Sequence, residues 1–261
     1  TKIACGMESS MHNELTKNDI KKMEDEIEYR VQVVRKQALE DVKEAEDAKV
    51  KGMLIIVDSP GGAVAPSVEM ALTIKRIRAK MPVVTYAAGT MASGSYYASI
   101  WSNKIIANPG STVGSIGVLF QAPNVAELAK KLGISEQIIT AGEYKQMGTF
   151  TREWTDKERG ALKELINDAY GLFVNDVASA RGLDASKPNE FANAKVFIAH
   201  KALNAKLIDE IGSLNEAKAK VVKLSGVQNA SWEKPDKVDK WMKKLEGNAQ
   251  LPIFNLMGYL K

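Results

Sequence analysis

The chain has 261 residues, 45% hydrophobic and 26% charged, with a formal net charge of +4. That length holds one large domain or two small ones, and the balance is ordinary for a globular protein. The lysines are spread over helical faces and gathered in the last third, which argues against a nucleic-acid stripe and weakly favours contact with an anionic membrane. The single cysteine, Cys5, excludes an intrachain disulfide.

No run of ~18 apolar residues offers a membrane-spanning helix. No signal peptide opens the chain, which starts in a strand-like run, Lys2-Ile3-Ala4-Cys5-Gly6. An anchor or signal is therefore expected upstream of Thr1. Ile3 to Cys5 predicts a first strand. Thr16 and Asp19 then offer a helix start. Ile20, Met23, Ile27, Val31, Val34, Ala38, Val42 and Ala45 follow at steps of three or four, predicting one long helix over about 17–49. Such a helix either reaches a partner subunit or packs along its own domain.

Gly52 to Val57 is continuously apolar, as in a strand buried on both faces. It ends in Asp58-Ser59-Pro60-Gly61-Gly62, followed by a helix from about Ala65 to Lys80 and a strand from Val83 to Ala88. The pattern repeats at once. Gly89-Thr90-Met91-Ala92-Ser93-Gly94-Ser95-Tyr96-Tyr97 turns into a helix reaching Trp101, and Lys104 to Ala107 is the next strand. These are successive βαβ units of a parallel sheet. Ligands bind at the carboxyl ends of such strands, so Gly61–Gly62 and Ser93–Gly94 are expected to be neighbours there.

Beyond them, Asn108 to Val118 is rich in glycine and hydroxyls. Asn124 to Leu132 predicts a helix capped by Gly133, and Ile138 to Thr140 a short strand. The loop Ala141 to Gly148 carries Lys145 between small and apolar neighbours. Thr155 and Glu158 form a capping box for a helix to Arg181, with Leu162, Leu165, Ile166, Ala169, Phe173 and Val177 facing inward. A strand at Phe197–Ile198 and a helix over His200–Lys206 follow. Residues after Gly226 are polar around Trp232 and Trp241, and Leu251 to Met257 is an apolar stretch suited to docking. The reading is one α/β domain over 1–225, with core motifs at 50–215, and a C-terminal extension over 226–261.

A serine at a strand-to-helix turn presents its Oγ outward beside backbone donors for an oxyanion, and Ser93 stands at such a turn. The plainer reading is a tight turn of small residues. The usual helper is histidine, but His12 lies in a polar loop and His200 has no carboxylate to orient it. Asp58 is expected to hydrogen-bond within its own turn. Metal-ligand spacing and nucleotide-binding glycine patterns are absent, so the sequence asks for neither metal nor cofactor. A Ser–Lys pair remains. Lysine acts as a base only when neutral, which burial away from carboxylates favours, and Lys145 has one of the few suitable settings.

Taken in order, several motifs resemble the signal peptide peptidase A family. They are Asp58-Ser59-Pro60-Gly61-Gly62, Met91 to Tyr97, Ala107-Asn108-Pro109-Gly110, Val113 to Val118, and Gly142-Glu143-Tyr144-Lys145. The resemblance covers about 50–215. It implies bacterial Ser/Lys-dyad peptidases with a Clp-protease/crotonase-like fold: repeated ββα units, a mostly parallel sheet and flanking helices. It implies Ser93 as nucleophile, Lys145 as general base, Ser115 orienting the lysine, and an oxyanion hole from Gly94 with Gly61 or Gly62. It further implies a ring-like homo-oligomer whose serine and lysine come from adjacent subunits, and substrates that are cleaved signal peptides and other unfolded apolar peptides. A membrane anchor outside this chain is implied, with the catalytic part on the extracytoplasmic side.

The chain departs from the pattern in three places. Ser95 stands where glycine is expected, adding a side chain near the site. The helix at 17–49 is longer than the family's, and the C-terminal tail is unplaced. In some relatives a tail enters the subunit's own groove, so self-truncation is an expectation here. Three other readings stay open. A Clp-type Ser-His-Asp peptidase lacks a histidine between Ser93 and His200. A crotonase-like acyl-CoA enzyme gives Ser93 and Lys145 no role. A non-catalytic, capsid or assembly-type relative would leave Ser93 inert.

Overall fold

In a computed structural model the protein is described over residues 50–233 and, as backbone, 258–260. The strand at Ile3–Cys5, the helix at 17–49 and the stretch Leu251–Met257 lie outside the described residues.

The core is a parallel sheet in which β1 (Gly52–Ser59) lies beside β2 (Val83–Ala92). Met53, Leu54, Ile55 and Val57 are all buried, as expected for a strand covered on both faces. The strand β2 is longer than the sequence suggests because it serves two neighbours. Its first half pairs with β3 (Lys104–Ala107) and its last three residues pair with β4 (Thr112–Gly114). Between Val57 and Ser59 the β1–β2 register slips from Val57↔Ala87 to Ser59↔Met91. The extra residues on β2 form a bulge, which bends the strand as it approaches the turn. Asp58 stabilises this bulge, since its Oδ1 accepts the Thr90 N–H at 2.8 Å. The expectation that Asp58 serves its own turn is thus corrected: its partner is on the neighbouring strand.

The sheet continues through β5 (Val196–Ile198), antiparallel to β4, and β6 (Glu210–Ile211), parallel to β3. On the other side β8 (Gly258–Leu260) runs antiparallel to β1 at Gly52–Leu54, and pairs with β7 (Trp232–Glu233). The final strand thus lies at the start of β1, the end opposite Ser59.

The helices are α1 (Val64–Ile77), α2 (Gly94–Ser99), α3 (Ala126–Lys131), α4 (Asp156–Arg181), α5 (Ala199–Asn204) and α6 (Leu214–Ser225). Ala71, Ile74 and Ile77 bury the inner face of α1. Ala217 and Val221 of α6 join Leu54, Val84, Tyr86 and Ile106 in one apolar cluster. Each such aliphatic side chain contributes roughly 1.5–3 kcal/mol when fully buried. The α6 helix is absent from the sequence reading, although Ser213 and Glu216 form a capping box at its start. The predicted box at Thr155–Glu158 forms as expected, and Gly182 closes α4 at φ 64°. Two expectations fail. Ile138–Thr140 is not a strand, and Leu165 on α4 is exposed, because the stretch around residue 139 meets no sheet edge among the described residues and α4 buries only a narrow stripe.

Candidate active site

Because β1 and β2 run parallel and end together, the turns leaving them meet at one edge of the sheet. Gly61 has φ +118°, and a Cβ built there would lie 2.8 Å from both Gly94 N and Ser93 Cβ. A Cβ on Gly94 would lie 2.3 Å from Ser67 Oγ on the first turn of α1 and 3.0 Å from Gly62 N. Only glycines let the two turns touch this closely.

Ser93 caps α2 with φ 52° and ψ −125°, a conformation that costs a non-glycine residue about 1–3 kcal/mol. Its backbone is held on both sides. The Ser93 N–H donates to Gly114 O at 2.8 Å, and Ser93 O accepts from Tyr97 N at 2.9 Å. Strained strand-to-helix turns of this kind display a nucleophilic serine at the head of a sheet. The Ser93 side chain is half-buried and makes no hydrogen bond among the described residues. Beside it, the N–H groups of Gly94 and Gly62 also donate no hydrogen bond among the described residues, whereas the Gly61 N–H is engaged by Ser59 Oγ at 3.2 Å.

Ser95 does not project into this site. It is buried, with Oγ accepting from Ala92 N at 2.9 Å and lying 2.7 Å from Ser59 O and 2.8 Å from Ala92 O, to one of which its hydroxyl donates. The serine thus ties the end of β1 to the end of β2. Behind α2, Tyr96 donates to Leu207 O at 2.8 Å, and the Tyr97 hydroxyl donates to the Asp176 carboxylate on α4 while its ring packs on Phe173 at 4.6 Å. Burial pushes both phenols above their usual range, and at Tyr97 the Asp176 carboxylate adds to it.

Ser115 follows β4 as Ser93 follows β2. Ala92 pairs with Gly114, so the two serines leave the parallel strands at the same level, with φ 52° and 51°. The Ser115 N–H donates to Lys195 O at 2.8 Å. The structure therefore gathers Ser93, Gly94, Gly61, Gly62 and Ser115 at one edge. It does not join Lys145 to them. Lys145 sits in a turn closed by its own N–H on Gly142 O at 3.2 Å, with an exposed side chain that has no hydrogen bond or ion pair among the described residues.

The segment bearing Lys145 is unusual for a protein surface. Leu119 is 78% exposed and Ile139 fully so, and Leu128, Leu132, Ile134, Ile138, Tyr144 and Phe150 are exposed with them. Exposed apolar side chains gathered on one segment are a feature of contact sites.

Residues 75–228 match peptidase family S49. A Synechocystis protein named as a protease, slr0021, is 36% identical over 78% of this chain and 72% of its own length. The chain belongs to peptidase family S49. A protein of Enterococcus faecium named as a signal peptide peptidase, SppA, is 35% identical over 66% of this chain, which spans half of that protein. Among solved structures, a mutant of ClpP1 from Listeria monocytogenes superposes with a TM-score of 0.50 at 14% identity, over 71% of this chain and 88% of that one. The expected Clp-like α/β fold is therefore the fold of this S49 chain. With the family comes the coarse activity, that of a serine protease.

Elsewhere, His200 is exposed on the first turn of α5, and His12 lies outside the described residues. Among the described residues no cluster of His, Cys, Asp or Glu could hold a metal ion, and no helix is long and apolar enough to cross a membrane. Sequence reasoning missed Arg152, whose guanidinium binds both Glu158 and Gln146 next to the lysine. Nothing in the local pattern marks an arginine in Phe-Thr-Arg-Glu-Trp as more than a solvated charge.

Proposed function

We propose that the chain is a serine endopeptidase in which Ser93 is the nucleophile and Lys145, from a second copy of the chain, is the general base. The observation that carries this is the strained Ser93 turn with the unengaged N–H groups of Gly94 and Gly62 beside it. Ser93 Oγ attacks the scissile carbonyl and its proton passes to the neutral amine of Lys145. The carbonyl oxygen becomes an oxyanion that accepts from the Gly94 and Gly62 N–H groups. When the tetrahedral species collapses, the C–N bond breaks and the leaving amine takes the proton from Lys145. Water, deprotonated by the Lys145 amine, then attacks the acyl carbon; the ester C–O bond breaks, the acid leaves, and Lys145 returns the proton to Ser93 Oγ. Ser115 orients Lys145 by a hydrogen bond once the lysine arrives. Of the two glycines expected to complete the oxyanion hole, Gly62 suits the part better, because Ser59 already engages Gly61.

The second copy is supported by the exposed Lys145 and by the apolar residues around it, which a neighbour would cover. Covering also removes the amine from water, which favours its neutral form. The substrates in this reading are remnants of signal peptides and other unfolded apolar peptides. The enzyme in this reading works at a membrane, with its catalytic part on the extracytoplasmic side, through an anchor outside this chain.

The test is hydrolysis of a fluorogenic peptide with small apolar residues before the cut. Wild type is compared with Ser93→Ala, Lys145→Ala and an equal mixture of the two. Each variant alone is expected to be inactive and the mixture to recover part of the activity. Activity persisting in Lys145→Ala would end the dyad reading, and an inactive mixture would end the sharing of sites between copies.

A further inference from the structure

The turn that carries Lys145 is fastened on both sides of the lysine, and both fastenings end on the first turn of α4. Two residues before Lys145, the Glu143 carboxylate accepts from Lys157 Nζ at 2.6 Å. One residue after it, Gln146 Oε1 accepts from Arg152 Nη2 at 3.2 Å and Nε at 3.4 Å. The same guanidinium grips Glu158 with both outer nitrogens, at 2.7 and 2.8 Å, and donates to Glu153 O at 2.8 Å. Glu158 is buried and fixed in turn by the capping box with Thr155. Downstream, Trp154 Nε1 donates to Thr149 O at 2.6 Å and Val125 N to Phe150 O at 2.8 Å.

We propose that Arg152, Glu158 and Gln146 are positioning residues that set the place of Lys145 for proton transfer. This rests on the reading of Lys145 as the base. None of the three hydrogen-bonds to Ser93, so their action is through the lysine's backbone. A bidentate guanidinium–carboxylate pair is planar and directional, and a lysine in place of Arg152 could not hold Glu158 and Gln146 together. Gln146 is the next residue after Lys145, so a displacement of its backbone shifts the point from which the lysine side chain starts. The Arg152 bonds also hold the Glu158 carboxyl down, to a pKa of about 2, so the anchor stays charged wherever the enzyme would work.

The Lys157–Glu143 pair has a different part. Both side chains are exposed, and such a pair adds little stability. It pairs Glu143, two residues from Lys145, with Lys157 and not with Lys145 itself. A free carboxylate there could pair with the ammonium and keep it charged, which is useless in a base.

The test compares wild type with Gln146→Ala, Arg152→Lys and Glu158→Gln. Each is measured by steady-state kinetics on the peptide, by the rate of Ser93 labelling with a fluorophosphonate, and by thermal unfolding and assembled size. Gln146→Ala is the decisive variant, because it cuts the tie to the loop and leaves the Arg152–Glu158 pair and the helix cap in place. A displacement near 1 Å costs up to ~100-fold in rate, so Gln146→Ala and Arg152→Lys are expected to lower kcat and the labelling rate about 10-fold or more. In Gln146→Ala, KM, Tm and assembled size should stay near wild type, whereas Arg152→Lys leaves the buried Glu158 carboxylate short of its partner and should also lower Tm. Wild-type kcat and labelling in both of these variants would overturn the proposal while leaving the dyad standing. Lys145→Ala, run alongside, separates the two ideas: activity there would overturn the base itself, and the positioning role with it.

Discussion

Gly61→Ala tests the contact between the two turns. The new Cβ would sit at φ +118°, 2.8 Å from Gly94 N, 2.8 Å from Ser93 Cβ and 2.9 Å from Ala92 O. The conformational strain amounts to about 1–3 kcal/mol. Overpacking adds about 1–3 kcal/mol, because backbone atoms and the Ser93 Cβ cannot swing aside as a flexible side-chain tip could. The sum, about 2–6 kcal/mol, is a large share of a typical stability of about 5–15 kcal/mol and lowers Tm by roughly 5–20 °C. If the turn shifts to relieve the clash, Gly62 moves with it, and loss of one oxyanion donor costs about 10²–10³ in kcat. The control is Gly62→Ala, where a Cβ meets nothing within 4 Å. That variant should unfold within about 2 °C of wild type, since substitutions free of contacts usually stay within ~0.5 kcal/mol. Thermal unfolding and peptide hydrolysis on both variants decide the matter. A Gly61→Ala protein with wild-type Tm and kcat/KM would show that the turns are not packed as described.

Three further outcomes can be checked directly. Ser95→Ala leaves the buried Ala92 N–H and Ser59 C=O without their shared partner, and denaturant titration should show a loss of about 1–3 kcal/mol; an unchanged midpoint would contradict this. Tyr97→Phe removes the hydrogen bond to Asp176 and should cost about 1.5–3 kcal/mol. Because burial holds that phenol protonated, the variant's alkaline absorbance titration should match wild type up to unfolding, and a missing early phenolate step would refute it. The Arg152 hydrogen bonds hold the Glu158 carboxyl at about 2, below its ordinary 4.5, so its stabilisation is complete above pH 4.5 and is lost as pH falls through about 2. Glu158→Gln should flatten the fall in Tm over that interval, and an equally steep fall would refute the assignment.

The parts of this structure that the sequence makes legible are those set by local physics. The apolar run at Gly52–Val57 suits a strand buried on both faces, Val83–Ala88 is the next strand, and the Gly-rich turns leaving two adjacent parallel strands reach the same edge. That pattern alone places Gly61 beside Ser93, as the structure has it. What escaped depends on distant partners. Ser95 looks like an obstruction in the sequence, but its Oγ lies between Ala92 N, from which it accepts, and Ser59 O, 36 residues away. Asp58 serves Thr90 because of a bulge that no local pattern announces. The Ile138–Thr140 run has the composition of a strand but pairs with no strand among the described residues, and Ile138 and Ile139 are exposed. Leu165 keeps the helical period of α4 and still faces outward, since period gives a stripe's direction and not its width. The α6 helix is legible in the sequence, its Ser213–Glu216 box being as clear as the one at Thr155.

The bare apolar stretch from Leu119 to Phe150 has a consequence for timing. If a second copy covers it, as proposed, proteolysis is second order or higher in the protein's own concentration. A newly made chain would hold a strained serine with no base beside it and cut nothing. Competence would arrive only where copies accumulate, and dilution alone would switch the enzyme off.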